Sequence, residues 1–475
     1  MSLKWILPLV GAAVAFAQAP GTFTPTGSML MPGVGHQAIL LLDGRVLVVG
    51  GGGTSAEVYD PSTGTFSATG EMNILRAVDT ATLLPDGRVL VTDGAAEIYD
   101  PATGAFTVTG TMATRHWRAT LLNNGKVLMT GGYTQSTPST VPDAEIYDPS
   151  TGTFSIAGAD ANTADIYYSA RSATLLPDGT VLVTGVPRLF PPSGEIYDPA
   201  TGKFRLTGSM NVNTGAGTAT LLTNGKVLVA GGTDNGDFPL GGAQLYDPST
   251  GVFTDNGYMT TGRDVFSATL IPDGTVLIAG GAEDRPYHDA RLYTSASAEL
   301  YDISSGTFRS IGNMTVPRYS FAASLLNDGR VLIAGGYYWA GPVVPPPTFL
   351  SSAEIYTPPV LSPPPALFSV SGDGSGQGAI LHTGTDRIAS AGDPAITGEV
   401  LEVYGRGLIE GAVVPPQVVI GGRMAEVVFF GKAPGFENLN QINVRVPDGV
   451  VPGPAISVRL RYLGRHSNEV TIGIR

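Results

Sequence analysis

"GTFTPTGSM" (residues 21–29) stands near the start of the chain and returns as "GTFSATGEM" (64–72) and "GAFTVTGTM" (104–112). Every later copy follows a segment such as "AEVYDPST" (56–63), whereas the first has no such head. Working outward, a second motif precedes each head. It reads "LLLDGRVLVVGG" from Leu40, "LLPDGRVLVTDG" from Leu83, "LLNNGKVLMTGG" from Leu121 and "LLPDGTVLVTG" from Leu175. It continues as "LLTNGKVLVAGG" from Leu221, "LIPDGTVLIAGG" from Leu270 and "LLNDGRVLIAGG" from Leu325, seven copies in all.

Each copy encodes four short strands. "ATLL" is the first. Asp-Gly or Asn-Gly then makes a tight hairpin at Gly44, Gly87, Gly125, Gly179, Gly225, Gly274 and Gly329, because glycine accepts positive φ without a Cβ clash. "RVLVAGG" is the second strand, β-branched and almost wholly apolar, as a strand buried on both faces must be. "AEIYD" is the third and "TFSATG" the fourth, joined by a Pro/Ser/Thr/Gly turn. Seven four-stranded sheets in tandem predict a seven-bladed β-propeller. The last head, "AEIYTPP", runs into "VLSPPPALF" and has no fourth strand of its own. The orphan at 21–29 supplies it, so the N-terminal strand is expected to close the ring and hide its edges.

The rest of the chain sets limits. Residues 1–17 read as a signal peptide: Lys4, an apolar stretch from Trp5 to Val14, and Ala15-Phe16-Ala17 as the cleavage site, leaving Gln18 as the mature terminus. The expected location is secreted, cell-surface or periplasmic, of bacterial type, with no membrane insertion after cleavage. A net charge of -13 argues against nucleic acid as a partner. With no cysteine, thiolate catalysis, disulfides and Cys-bound metal are excluded. The propeller is expected over 18–357 and a Pro-rich linker over 358–368. A small antiparallel sandwich is expected over 369–475, where apolar and polar residues alternate between Gly and Pro turns.

The double glycine after the second strand and the Tyr of "AEIYDP" resemble kelch repeats. Phe66, Phe106, Phe154, Phe204, Phe253 and Phe308 stand where that family usually has Trp. The wording "ATLLPDGRVLV" is similar to the propeller of the galactose oxidase and glyoxal oxidase group, over roughly residues 21–357. The last stretch, with "GQGAIL" (376–381), "VVIGG" (418–422) and "APGFENLNQINVRVPDGV" (433–450), resembles an IPT/TIG-like immunoglobulin-type module of exported bacterial proteins. That resemblance implies a spacer or adhesion role. The oxidase resemblance implies a copper centre with two His, two Tyr and a Tyr cross-linked to Cys. Without cysteine that centre cannot form, and a His36–His116 metal pair is the weaker alternative.

The repeat is its own control, since a residue present in nearly every blade serves the fold. This assigns Glu57, Glu97, Glu145, Glu195, Glu299 and Glu354 to structure, with Tyr59, Tyr99, Tyr147, Tyr197, Tyr246, Tyr301 and Tyr356 packing between blades. Arg76, Arg115, Arg171, Arg263 and Arg318 recur only in part and are read as mostly structural, with some expected at the channel mouth. Function should sit where the repeat breaks, in the second-to-third and fourth-to-first loops on one face. The longest are "GGAEDRPYHDARLYTSASA" in blade 6 and "GGYYWAGPVVPPPTFLSSA" in blade 7. The expected binding residues are Tyr287, His288, Tyr337, Tyr338 and Trp339, with Arg115, His116, Trp117, Arg263 and Arg318. The reading is a monomeric, non-catalytic binding protein for a glycan or protein, with no cofactor and no metal. The alternative is a sugar-modifying enzyme (mutarotase, lyase or oxidase-like) on the same scaffold.

Overall fold

The seven hairpin glycines all adopt positive φ, from 80° at Gly125 to 91° at Gly87 and Gly329, so each Asp-Gly or Asn-Gly pair turns the chain back on itself. A computed structural model describes residues 20–74, 78–132, 144–158, 172–185, 193–210, 217–233, 238–283, 293–339 and 348–475. The described residues contain strands and turns and no helix. Seven four-stranded antiparallel sheets follow one another. In blade 1 the strands are Gln37–Leu40, Val46–Val49, Ala56–Asp60 and Thr65–Ala68, innermost to outermost.

Blade 7 is closed by the other end of the chain. Thr22–Pro25 pairs antiparallel with Ala353–Thr357, Thr22 opposite Thr357 and Phe23 opposite Tyr356. The orphan strand therefore completes the seventh sheet, as the sequence predicts.

From its valine onward the second strand is wholly buried in every blade, and the core lies between blades. One cluster joins Leu47 and Val49 of blade 1 to Val89, Val91 and Tyr99 of blade 2. In every blade the third-strand Tyr meets the fourth-strand Phe with ring centroids 4.8 to 5.0 Å apart. The Tyr hydroxyl reaches the preceding blade: Tyr59 to Thr26, Tyr99 to Thr69 and Tyr147 to Thr109, each at 2.9 Å. A methionine ends most fourth strands, and Met29, Met72, Met112, Met210, Met259 and Met314 are all buried.

The double glycines have a packing cause. A Cβ on Gly281 would lie 2.8 Å from Phe266 of its own blade, and one on Gly280 would lie 2.8 Å from the Phe321 ring of the next. His36 takes the same place in blade 1, between Gly51 and Gly335. The ring that precedes each of these first strands is thus clamped between two glycines, and any side chain there would push the blades apart.

Beyond the ring, Ala366–Leu367, Ile380–His382, Val400–Arg406 and Asn440–Arg445 form one sheet. Gln417–Ile420, Gly453–Tyr462, Arg465–His466 and Val470–Ile474 form a second. Arg423–Lys432 runs through both, bulging between Val427 and Phe429. Leu401, Val403, Ile442 and Val444 pack against Val418, Ile420, Val458 and Leu460 between the two sheets. This sandwich sits on the hairpin-turn face of the propeller. Arg465, 2% exposed, donates to the carbonyls of Ser362 (3.1 Å) and Pro363 (2.9 Å). The His466 N–H donates to Asn327 in the blade 7 turn, and Val413 N–H to Thr223 in the blade 5 turn. The Pro-rich segment is therefore fastened between the two parts.

Candidate functional site

The loop face is built on the recurring carboxylates. Each holds the chain arriving from the previous blade by accepting its backbone N–H groups: Leu30 and Met31 on Glu57 (both 2.8 Å), Asn73 and Ile74 on Glu97, Ala113 and Thr114 on Glu145. Thr260 on Glu299 and Thr315 on Glu354 repeat the bond at 2.7 Å. Backbone donors that the turn leaves unpaired are satisfied this way, so these acids serve the fold.

Three expected binding residues belong to the same scaffold. Arg318 is fully buried: it donates to Glu354 Oε1 through Nε (3.1 Å) and Nη2 (3.0 Å), and to the carbonyls of Gly335 and Ser352 at 2.9 Å. Arg263 repeats this with Glu299 (2.7 Å), Gly280 and Ser297. His116, also 0% exposed, donates from Nδ1 to the Gly131 carbonyl, and its Nε2 lies 2.9 Å from Glu145. Arg263, Arg318 and His116 offer no surface to a ligand. The expectation that they contact one is corrected: each spends its donors on the carbonyls of its own blade. The incomplete recurrence of Arg in sequence hid this, because His fills the role in blade 3.

The blade 6 and 7 loops make two small ladders on this frame. Arg263–Asp264 pairs with Ala282–Glu283, which pairs with Tyr293–Thr294. Tyr337–Tyr338 pairs with Thr348–Phe349, Tyr337 opposite Phe349. The ladders are tied together, since Thr294 Oγ1 donates to the Trp339 carbonyl (2.6 Å) and lies 2.7 Å from the Trp339 N–H. Tyr337 meets Tyr319 edge-on at 4.9 Å and is half-buried. Burial, with the Asp264 charge added, pushes its hydroxyl pKa up. Alternation puts Tyr338, 37% exposed, and Phe349, 54% exposed, on opposite faces of this ladder, Phe349 on the face of Tyr337, while Trp339 is half-buried. Tyr287 and His288 lie outside the described residues.

Just before the first strands of these two blades, Val265 (φ 47°) and Ser320 (φ 51°) occupy the left-handed region, where blade 1 has Gly35 (φ 72°). A non-glycine residue there costs on the order of 1 kcal/mol, so the frame holds these turns against a local preference. The sequence shows only the blade 1 glycine as a signal.

A second group lies on blades 2 and 3. Arg115 forms a two-toothed ion pair with Asp79 (Nη2 to Oδ1 2.8 Å) and stands 3.7 Å from Asp93. Blade 2 has the short "DGAA" connection, which leaves room for an arginine of the next blade to fold across it. Beside it Arg118 donates to the Trp117 carbonyl at 2.7 Å, and Trp117 is half-buried. Asp79 and Asp264 escaped the sequence reading because neither belongs to a motif, and Asp93 because it stands where other copies have the first glycine of the pair.

No family model matches the chain, and no curated protein sequence matches it. Among solved structures it is similar to a fungal alcohol oxidase with catalytic diversity among the AA5 family, in complex with copper. The TM-score is 0.60 and the identity 17%, over 96% of this chain and 100% of that one. At that identity the likeness is one of fold, and it fits a kelch-like propeller. Among the described residues no three His, Asp or Glu side chains gather as ligands. His36 is clamped between Gly51 of blade 1 and Gly335 of blade 7, and His116 is enclosed by Glu145 and Gly131.

Proposed function

We propose that this chain is an exported, non-catalytic binding protein that takes a glycan on the loop face of its propeller, across blades 6 and 7. One observation carries the reading: two exposed rings, Tyr338 and Phe349, stand on a ladder anchored to the neighbouring blade through Thr294 and Trp339. Exposed rings on a preformed support bind with little ordering cost, and an aromatic face suits the apolar face of a sugar ring. A glycan array probed with the mature protein tests this. Binding that the pair Tyr338→Ala and Phe349→Ala abolishes supports it. A protein partner on the same surface is the other outcome, and no ligand of either kind on this face overturns the reading. Export rests on residues 1–17, and the immunoglobulin-type assignment of the sandwich on its sequence. Its docked position favours an accessory role.

One observation favours catalysis instead. Asp79 and Asp93 of blade 2 converge with Arg115 of blade 3 on the loop face. A carboxylate pair beside a cation is what acid–base work on a sugar requires. NMR of any sugar found on the array, incubated with the protein, would show turnover that Asp79→Asn removes if the enzyme reading holds.

A further inference from the structure

At the opposite end of the ring a half-open cavity of about 1220 Å³ lies between the propeller channel and the C-terminal sandwich. All seven blades contribute the same residue to its wall, the leucine that ends the innermost strand, from Leu40 in blade 1 to Leu325 in blade 7. Above this collar the alanines of the same strands narrow the channel. Val414, Val427 and Leu463 of the sandwich face the collar. The cavity thus pairs an aliphatic collar with a polar rim that includes Asn123, Asn124, Gln417 and Asp448, and it is larger than most ligand sites, which run to roughly 300–1,000 Å³.

One side chain of the polar rim stands out. Leu460 and Tyr462 point into the sandwich core, so strand alternation turns Arg461 between them toward the cavity. Three other arginines of the sandwich are satisfied: Arg459 by Glu469, Arg445 by Glu426, and Arg465 by backbone carbonyls. Arg461 has no such partner among the described residues. Its cross-strand neighbours are Gln417 and His466, and the exposed Asp448 on the cavity wall forms no ion pair with it. Burial lowers its pKa, with no opposing charge to restore it. A half-buried guanidinium without an anion is free to take one, and its planar fork matches a carboxylate.

We propose that this cavity binds an amphiphilic monocarboxylate, with the carboxylate on Arg461 and the aliphatic chain within the leucine collar. The site lies on the face opposite the proposed glycan surface and stands or falls independently of it. The test uses the full-length mature protein and a headgroup series, titrated calorimetrically: dodecanoate, dodecanol and dodecyltrimethylammonium. Dodecanoate should bind saturably with 1:1 stoichiometry, at least tenfold tighter than dodecanol. Dodecyltrimethylammonium should bind more weakly still. Arg461→Met should remove the preference for dodecanoate over dodecanol, and Arg461→Lys should keep part of it. Because Arg461→Met deletes an unpaired cation, its melting temperature should not fall. Equal affinity for dodecanoate and dodecanol in the wild type overturns the proposal. So does an unchanged preference in Arg461→Met, or the absence of saturable binding. The wild-type series decides even where the variant does not fold.

Discussion

The two faces of the propeller make opposite use of one repeat. On the hairpin-turn face the seven turns are nearly identical, each with its glycine at φ between 80° and 91°. The chain places its own C-terminal sandwich there, gripping Asn327 in blade 7 and Thr223 in blade 5. On the loop face each blade differs. There the polar groups divide into those that recur and are consumed by the fold, and those that occur once and remain at the surface. The contrast between Arg318, buried on Glu354, and Arg115, a third exposed on Asp79 and Asp93, shows that residue type alone does not tell these classes apart. What separates them is which carbonyls and carboxylates the second-to-third loop brings within reach.

The largest effect should come from breaking the ring that makes the two faces distinct. Deleting residues 21–30 removes the four-residue ladder on Ala353–Thr357, the Phe23–Tyr356 contact at 5.0 Å and the buried Met29. Burial of two such side chains is worth about 3–6 kcal/mol. The shift is about 2–4 °C per kcal/mol for chains of about 150–250 residues and smaller for longer ones, so melting should fall by several degrees. The bared edge should also promote aggregation. A calorimetric scan that matches wild type would refute closure by the N-terminal strand.

Next in size is the buried cation. Arg318→Ala leaves Glu354 enclosed without its partner, a loss of about 3–5 kcal/mol. Equilibrium denaturation should register it, while affinity for a loop-face ligand stays within twofold at temperatures where the variant is folded. Arg318 belongs to the surface after all if binding drops and stability does not.

Much of this architecture was legible from period and turn chemistry alone. The seven sheets, the Asp-Gly hairpins, the orphan strand and the Tyr–Phe pairs all repeat, and repetition averages out the noise of any single segment. The structural acids were legible for the same reason. The role of His36 was not, because it stands where blades 6 and 7 have Phe266 and Phe321, and only the shared glycine clamp shows the three to be equivalent. Arg263 and Arg318 were misplaced because sequence shows a residue's spacing and not its partners. Docking of the sandwich was invisible, since it relies on backbone carbonyls and on Arg465, which no motif marks.

The His36 equivalence yields a pH test. Burial pushes its imidazole down to about 4, against about 6.5 for an exposed histidine. The unfolded chain therefore binds the proton more readily than the folded one. This histidine's share of stability is complete above pH 6.5 and is lost as pH falls from there toward 4, by roughly 2–3 kcal/mol. His466, pushed to about 3 by burial, adds a second loss of the same sign in the sandwich. His36→Phe installs the ring that blades 6 and 7 already use. Its melting temperature should match or exceed wild type at pH 7 and decline less between pH 6.5 and 4.5. Parallel decline in both proteins would mean that the clamp does not keep His36 neutral.

The smallest expected change in stability is also the most informative, because it probes the loop face where the repeat has been abandoned. Tyr338 and Phe349 stand on facing strands of one ladder with much of each ring in solvent. Truncating either ring deletes little buried area, and the ladder hydrogen bonds are made by the backbone and survive. Each single variant should therefore lie within about 0.5 kcal/mol of wild type in denaturation. Trp339→Ala is the control: its ring is half-buried and its backbone joins blade 7 to Thr294 of blade 6, so it should cost more stability than either neighbour. If the rings are anchors for a sugar or a protein surface, Tyr338→Ala should weaken binding by about 2 kcal/mol, close to thirtyfold in Kd. Phe349→Ala should act in the same direction. A variant that melts early but binds normally would place these rings in the support of the loops and send the search for the ligand to the Asp79–Arg115 side of the same face.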